Sequence, residues 1–198
     1  MEENNAIESR RSIRKYTDQK VSYDQIKAIV KAASLAPSAK NRQPWKYLVY
    51  EGKAKEELLS AMERGLEREK KEHCLLPGSA FALPGAFQTL SIMRKAPVTI
   101  IVMDPDGRSP YEPVNADERL AEICDSLSIG ASIQNMLLKA TQLGLGTLWI
   151  ANTCFAYNDM VEVIPSKGQL IGAVAVGYAA EKPYPRPRKK LEEILEYM

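Results

Sequence analysis

Apolar positions recur along this chain with two periods, and the switches between them mark out helices and strands. Asn4 to Ser9 predicts a short first helix that ends in a basic stretch. Ser22 followed by Gln25 forms a capping box, in which each side chain can satisfy a free backbone donor at a helix start. Ile26, Ile29, Val30 and Ala33 then fall at i, i+3, i+4 and i+7, giving that helix one buried stripe. Pro37 stops it, because the residue before a proline resists helical geometry. Lys46 to Tyr50 reads as a strand, and Lys53 to about Lys71 as a charged amphipathic helix. Pro77, Gly78, Pro84 and Gly85 interrupt Cys74 to Gln88, which predicts irregular or broken helix. A strand follows at Val98 to Met103. Asp104 to Pro113 has strong turn chemistry and predicts a loop able to cover a site.

Asn115 with Glu118 is a second capping box and opens a long helix to about Leu143. Its middle, Ser126 to Ser132, is poor in bulk, so another element can approach closely, either within the chain or in a second copy. Gly144 to Asn152 predicts a buried strand. Gln169 to Tyr178 predicts another, apolar on both faces and therefore central in its sheet. Pro183, Pro185 and Pro187 then force an extended arm at about 180–198, which either wraps a neighbour or lies in solvent. No repeat or long linker divides the chain, so a single domain over 1–198 is expected.

Composition narrows the classes. With 198 residues, 45% of them hydrophobic, the chain can bury one core. Its 27 basic and 25 acidic residues leave a formal charge of +2, too even for a general nucleic-acid binder. The basic residues gather locally, at 10–15 and 182–190, which suits a small anion better than a long polyanion. The longest apolar run, Pro97 to Met103, is too short to span a bilayer, so no membrane association is expected. The polar start lacks the apolar segment of a signal peptide. Cys74, Cys124 and Cys154 are odd in number and far apart, which argues against a disulfide framework or a Cys-x-x-Cys metal pair and fits a reducing cytoplasm. His73 is the single histidine, so the inventory supports neither a Ser-His-Asp triad nor a zinc centre.

Two stretches carry candidate chemistry. Arg10 to Lys15 packs four cations and Ser12 into six residues without an acid. If the segment is extended, Arg10, Ser12 and Arg14 share one side, and their two guanidinium forks and hydroxyl suit a phosphate monoester. The same residues also fit an exposed basic turn. Pro37 to Trp45 is proline-flanked and rich in side-chain amides, placing Ser38, Asn41 and Gln43 where they can meet the edge of a heterocycle. An ordinary capped turn with Trp45 as core filler accounts for it equally well.

Taken together, the stretches resemble the nitroreductase family of flavin mononucleotide (FMN)-dependent oxidoreductases. Arg10-Arg11-Ser12-Ile13-Arg14 resembles its phosphate and ribityl signature, and Pro37-Ser38-Ala39-x-Asn41-x-Gln43-Pro44-Trp45 its flavin-edge loop. Gly144 to Asn152 resembles the strand passing over the flavin, and Arg186-Pro187-Arg188 the closing basic pair. The resemblance implies an α+β fold of three layers, α-β-α, with a mostly antiparallel sheet, in an intertwined homodimer holding FMN at its interface. Arg10, Ser12, Arg14 and Arg188, with Arg186 beside it, would hold the phosphate, and Arg11 would reach toward the ring, ribityl or phosphate. Pro37, Ser38, Ala39 and Asn41 would come from the other subunit. Trp149, Ile150, Ala151 and Asn152 would lie against a ring face and offer a backbone N–H to flavin N5.

Many members have Glu-Gly where this chain has Ala151-Asn152, so no role for that carboxylate is expected. Further ring contacts are open, with Arg68 and Lys71 as candidates. The implied activity is ping-pong hydride transfer from NADH or NADPH to a nitroaromatic, quinone or flavin. The flavin carries that chemistry, with no catalytic side chain and no metal. Alternatives are a dehalogenase of the iodotyrosine type, a flavin-destroying enzyme of the benzimidazole pathway, and a flavin sensor or store without turnover. Tyr111 and Glu112 give no convincing match to the dehalogenase cover.

Overall fold

The computed structural model describes residues 5–198. Strands β1 (Lys46–Tyr50), β2 (Val98–Asp104), β3 (Gly146–Ile150) and β4 (Gln169–Gly177) form one antiparallel sheet in the order β1-β2-β4-β3. The two central strands are those with near-continuous apolar runs, as strands covered on both faces require. Val98, Ile100, Val102, Val174 and Val176 face one way, toward α2 (Tyr23–Ser34) and α5 (Ala116–Gln142). Ile101, Met103, Ala173 and Ala175 face the other way, toward α3 (Gly52–Glu72), α4 (Leu83–Lys95) and α6 (Tyr157–Val163). The result is a three-layer α-β-α arrangement with a core on each side of the sheet. A short α1 (Ala6–Ser9) precedes it; Asn4, where the expected helix began, lies outside the described residues.

Both capping boxes form. Ser22 Oγ accepts from the Gln25 amide at 3.2 Å while the Gln25 side chain accepts from the Ser22 amide at 3.0 Å. Asn115 and Glu118 exchange the same pair of bonds at 2.9 Å each. Helix α2 ends at Ser34, ahead of Pro37. The 74–88 stretch is irregular only as far as a 3-10 turn at Pro77–Ala82. Pro84 then lies in the first turn of α4, where its missing N–H costs nothing, so it opens a helix and does not break one. Lys55, buried in α3, donates to the carbonyls of Arg94 at 3.2 Å and Ala96 at 2.5 Å, and so closes the far end of α4.

The small-residue segment of α5 admits neighbours from its own chain. Tyr47 OH donates to Ser132 Oγ at 2.8 Å, and the Ala39 amide donates to Ser128 Oγ at 3.2 Å. Burial pushes the Tyr47 phenol up to about 12, against the opposing bond to Ser132. The loop after β2 is pinned. Tyr111 OH donates to the Cys154 carbonyl at 2.7 Å, and its ring meets Tyr157 edge-on at 5.6 Å. Among the described residues, no helix is long and apolar enough to cross a membrane.

Candidate functional site

The basic N-terminal stretch is held extended between β3 and the segment that follows β4. The Ile13 amide donates to the Thr147 carbonyl at 2.9 Å, so residue 12 forms a parallel bridge with residue 147 in β3. The Thr17 amide donates to Tyr178 O, and the Ala180 amide to Lys15 O, both at 2.9 Å. This approach requires Gly146: a Cβ there would stand 2.8–3.0 Å from three atoms of the Ile13 side chain. Glu181 fixes the start of the arm, accepting the Arg14 amide at 2.5 Å and the Lys15 amide at 3.1 Å.

One open cavity of about 380 Å3 results, and Arg10, Arg11, Ser12, Arg14, Arg186 and Arg188 all line it. The two ends of the chain thus meet at one place. Backbone carbonyls hold several of the guanidiniums. Arg11 donates to Glu8 O at 2.6 Å and Arg10 O at 2.8 Å, Arg14 to Ser12 O at 3.2 Å, and Arg188 to Arg186 O and Pro187 O at 3.2 Å. Among the described residues, none of these five arginines forms an ion pair, and Glu8 is the single acid lining the space. Five converging guanidiniums without an ion-pair partner among the described residues suit a compact, multiply charged anion.

The 37–45 loop lies elsewhere and does not line this cavity. It is tied down internally, since Ser38 O accepts the Asn41 amide at 2.9 Å and Ser38 Oγ accepts the Gln43 amide at 3.0 Å. It is tied to α5 by the Ala39–Ser128 bond and by an Arg42–Asp125 ion pair. Lys40, Asn41 and Gln43 have φ of 54°, 55° and 51°, left-handed geometry that these residues adopt at some cost. Burial raises the Asp125 carboxyl above its usual range even with Arg42 beside it.

At the far end of β3, Trp149 is 46% exposed while the side chain of Ile150 is in the core, so Ile150 can offer a ligand only its backbone. Ala151 is exposed. Asn152 Nδ2 donates to Thr89 Oγ1 at 3.1 Å, and Thr89 donates in turn to Gly85 O at 2.9 Å. Thr89 was not among the expected site residues; its signal was its place four residues after Gly85, in a helix opened by Pro84. Arg68 pairs with Asp159 between α3 and α6 and is therefore engaged in packing.

The chain is a three-layer α+β protein with an arginine-lined cavity beside its edge strand β3, an arrangement suited to a compact anion. The Nitroreductase family model matches residues 7–178, and the chain belongs to that family. An Archaeoglobus fulgidus protein provisionally named NADH dehydrogenase/NAD(P)H nitroreductase is 30% identical over 145 residues, 73% of this chain and 64% of the relative's own length. A BluB-like flavoprotein from Clostridium difficile 630 superimposes with a TM-score of 0.80 at 24% identity, covering 100% of this chain and 99% of its own. A Desulfovibrio desulfuricans protein, provisionally named a nitroreductase and solved in complex with FMN, has a TM-score of 0.67 at 27% identity, with 98% and 95% covered.

Proposed function

We propose that the chain is an FMN-dependent NAD(P)H oxidoreductase whose arginine cradle holds the FMN phosphate. The observation that carries this is the convergence of Arg10, Arg11, Arg14, Arg186 and Arg188 on one cavity without a carboxylate partner among the described residues. A phosphate monoester bears roughly −1.5 to −2 charge; Ser12 adds a hydroxyl, and the cradle fits. When bound, FMN supplies hydride exchange at N5, between reduced nicotinamide and a flat conjugated acceptor such as a nitroaromatic, quinone or flavin, in ping-pong order.

The chain's own residues orient and gate. Strand β3 links the cradle at Thr147 to the Ala151-Asn152 turn, where a backbone N–H would face the ring of a bound flavin. The Asn152–Thr89–Gly85 relay holds that turn still. Trp149, half exposed beside it, would offer an apolar surface to that ring. Pro37, Ser38, Ala39 and Asn41 do not reach the cradle of their own chain, which supports a homodimer in which a second copy supplies them. Leu120, Ile123 and Leu127 form an exposed apolar stripe on α5 that such a copy would cover. The dehalogenase alternative needs the 104–113 loop as a substrate cover, but Tyr111 is engaged with Cys154 and Tyr157.

The test is to load purified protein with FMN and add NADH or NADPH without oxygen. The yellow colour should bleach, then return on addition of a nitroaromatic or quinone. Protein that takes up no FMN, or never bleaches, refutes the reading. Turnover of a halotyrosine, or fragmentation of the reduced flavin in air, would replace it with one of the alternatives.

A further inference from the structure

Away from the cradle, the arginines of the helical layers pair with acids. A second cavity, of about 220 Å3, lies between the loop after β2, the first turns of α5 and Arg42. There Arg42 pairs with Asp125, Arg108 with Glu118 at 2.7 Å, and Arg119 with Glu122. Asp104, Asp106 and Glu112 line the same space without an ion-pair partner among the described residues. Beyond the sheet, Arg68 pairs with Asp159 and Arg94 with Glu63.

Glu181 behaves differently. It is half-buried at the root of the arm, in contact with the backbone of Arg14 and Lys15. Yet it pairs with no guanidinium or ammonium among the described residues. Its Oε1 instead accepts the Arg14 amide at 2.5 Å and the Lys15 amide at 3.1 Å. Successive amides that converge on one point form a concave anion-binding site, here filled by the protein's own carboxylate. The Arg14 guanidinium, bonded only to the Ser12 carbonyl at 3.2 Å, is left to face the cavity.

The neighbouring backbone shows what this bond does. Tyr16 and Ala179 form an antiparallel bridge, flanked by the bonds from Thr17 to Tyr178 and from Ala180 to Lys15. A continued ladder would have residues 15 and 180 exchange both of their bonds. The Lys15 amide goes to Glu181 Oε1 instead, so the side chain ends the pairing at that point. Tyr16 OH, donating to the Ile13 carbonyl at 2.8 Å, braces the same segment. The arm then runs through Pro183 and Pro185 to Arg186 and Arg188, all of which line the cavity. A proline-rich span is stiff, so its starting point decides where those two arginines stand.

We propose that Glu181 is a positioning residue for the anion in the arginine cradle, clamping the Arg14 and Lys15 amides so that Arg186 and Arg188 meet Arg10 and Arg14. This role rests on the reading of the cradle as the FMN phosphate site. Its sign is opposite to that of simple electrostatics. A nearby carboxylate repels a phosphate, so charge alone makes the protein bind FMN more tightly once Glu181 is removed. Loss of the clamp makes it bind more weakly, because the arginines are no longer pre-organised.

The test titrates the full-length, flavin-free protein with FMN and with riboflavin, which has the same ring and ribityl chain without the phosphate, by flavin fluorescence. Glu181→Ala should bind FMN at least about tenfold more weakly than the parent, the scale of one charge-assisted bond, with riboflavin affinity unchanged. Glu181→Gln keeps an oxygen able to accept both amides and should recover most of that loss. Glu181→Asp keeps the charge but is one methylene too short to hold both amides. It should also lose FMN affinity, and it decides the matter if the alanine variant folds poorly. FMN affinity that is unchanged or higher in the alanine or aspartate variant overturns the positioning role and leaves the cradle assignment standing. An equal loss for riboflavin, or a glutamine variant as weak as alanine, does the same. A parent that takes up no FMN, or that binds riboflavin as tightly, removes the cradle assignment and this role with it.

Discussion

The molecule carries two cavities of opposite sign, and they are assembled differently. The cationic one takes its arginines from two short stretches at the chain ends, which Ile13–Thr147 and Lys15–Ala180 backbone bonds bring together. The guanidiniums of Arg11, Arg14 and Arg188 lean on their own segments' carbonyls, and none of the five has an ion-pair partner among the described residues. In the anionic cavity, three arginines are bound to three acids and the surplus acids remain. A formal charge of +2 reveals neither. Binding character depends on which charges the fold leaves unpaired, and net charge is a poor guide to that.

The largest effect expected from breaking this contrast is in the cradle. Arg10→Ala with Arg14→Ala removes two of the charge-assisted partners proposed for the phosphate, at about 1.5–3 kcal/mol each. FMN affinity should fall by about 10^2 to 10^4, measured by flavin fluorescence, while Tm of the flavin-free protein changes little. An unchanged affinity would falsify the assignment of the cradle.

Removing Arg42 should have the next largest effect, this time on stability. Arg42→Ala leaves Asp125 buried beside Asp104 and Asp106 with no counter-charge. Breaking a fully buried pair costs about 3–5 kcal/mol, but the Arg42 side chain is 43% exposed, so about 1–3 kcal/mol is expected by urea unfolding. Asp125→Asn paired with Arg42→Ala should recover part of the loss, because the buried charge is gone. If the double variant is no better than the single one, the cost lies in the 37–45 loop and not in the carboxylate.

How much of each site was legible follows from the same contrast. Arg10 to Lys15 and Arg186 to Arg188 are clusters in sequence, so alternation and local charge were enough to single them out. The acids at 104–112 and 118–125 are separated by loop and helix, and their pairing with Arg42 depends on how the 37–45 loop folds onto α5. No local pattern encodes that. Strand order was partly legible, because β4 is apolar on both faces and so had to be internal. Helix α4 was not, because Pro84 and Gly85 read as breakers until the preceding 3-10 turn places them in a first helical turn. The seven-residue α6 is too short for periodicity to separate from a loop.

A smaller effect should come from Gly146, which separates the cradle's geometry from its charge. Gly146→Ala places a methyl within 2.8–3.0 Å of Ile13 and must push the arginine segment off β3. Overpacking of this kind costs about 1–3 kcal/mol. Some of that should appear as roughly tenfold weaker FMN binding, although every arginine is present. Ile13→Ala in the same chain should restore part of the affinity by making room. A loss of stability with unchanged affinity would mean that cradle geometry tolerates the shift.

The finest test compares the pH dependence of two carboxylates. Burial, with the Asp125 charge adding to it, raises Asp104 above the ordinary carboxylate range. Its folded state therefore holds the proton more tightly than the unfolded chain. Stability is fully present below the unfolded value of about 3.9 and is lost as pH rises through the folded one. Glu69 has the opposite sign. Burial alone would raise it, but the Leu75 and Leu76 amides, both at 2.9 Å, and the Cys74 thiol together lower it. Its contribution is present above about 4.3 and fades as pH falls through the folded value. Asp104→Asn should thus gain on the parent in Tm as pH rises above about 3.9, whereas Glu69→Gln should lose ground as pH rises toward about 4.3 and stay behind by a constant margin above it. Two difference curves sloping the same way would show that the acidic cavity is not a strained cluster of carboxylates but is already neutralised in the protein as it stands.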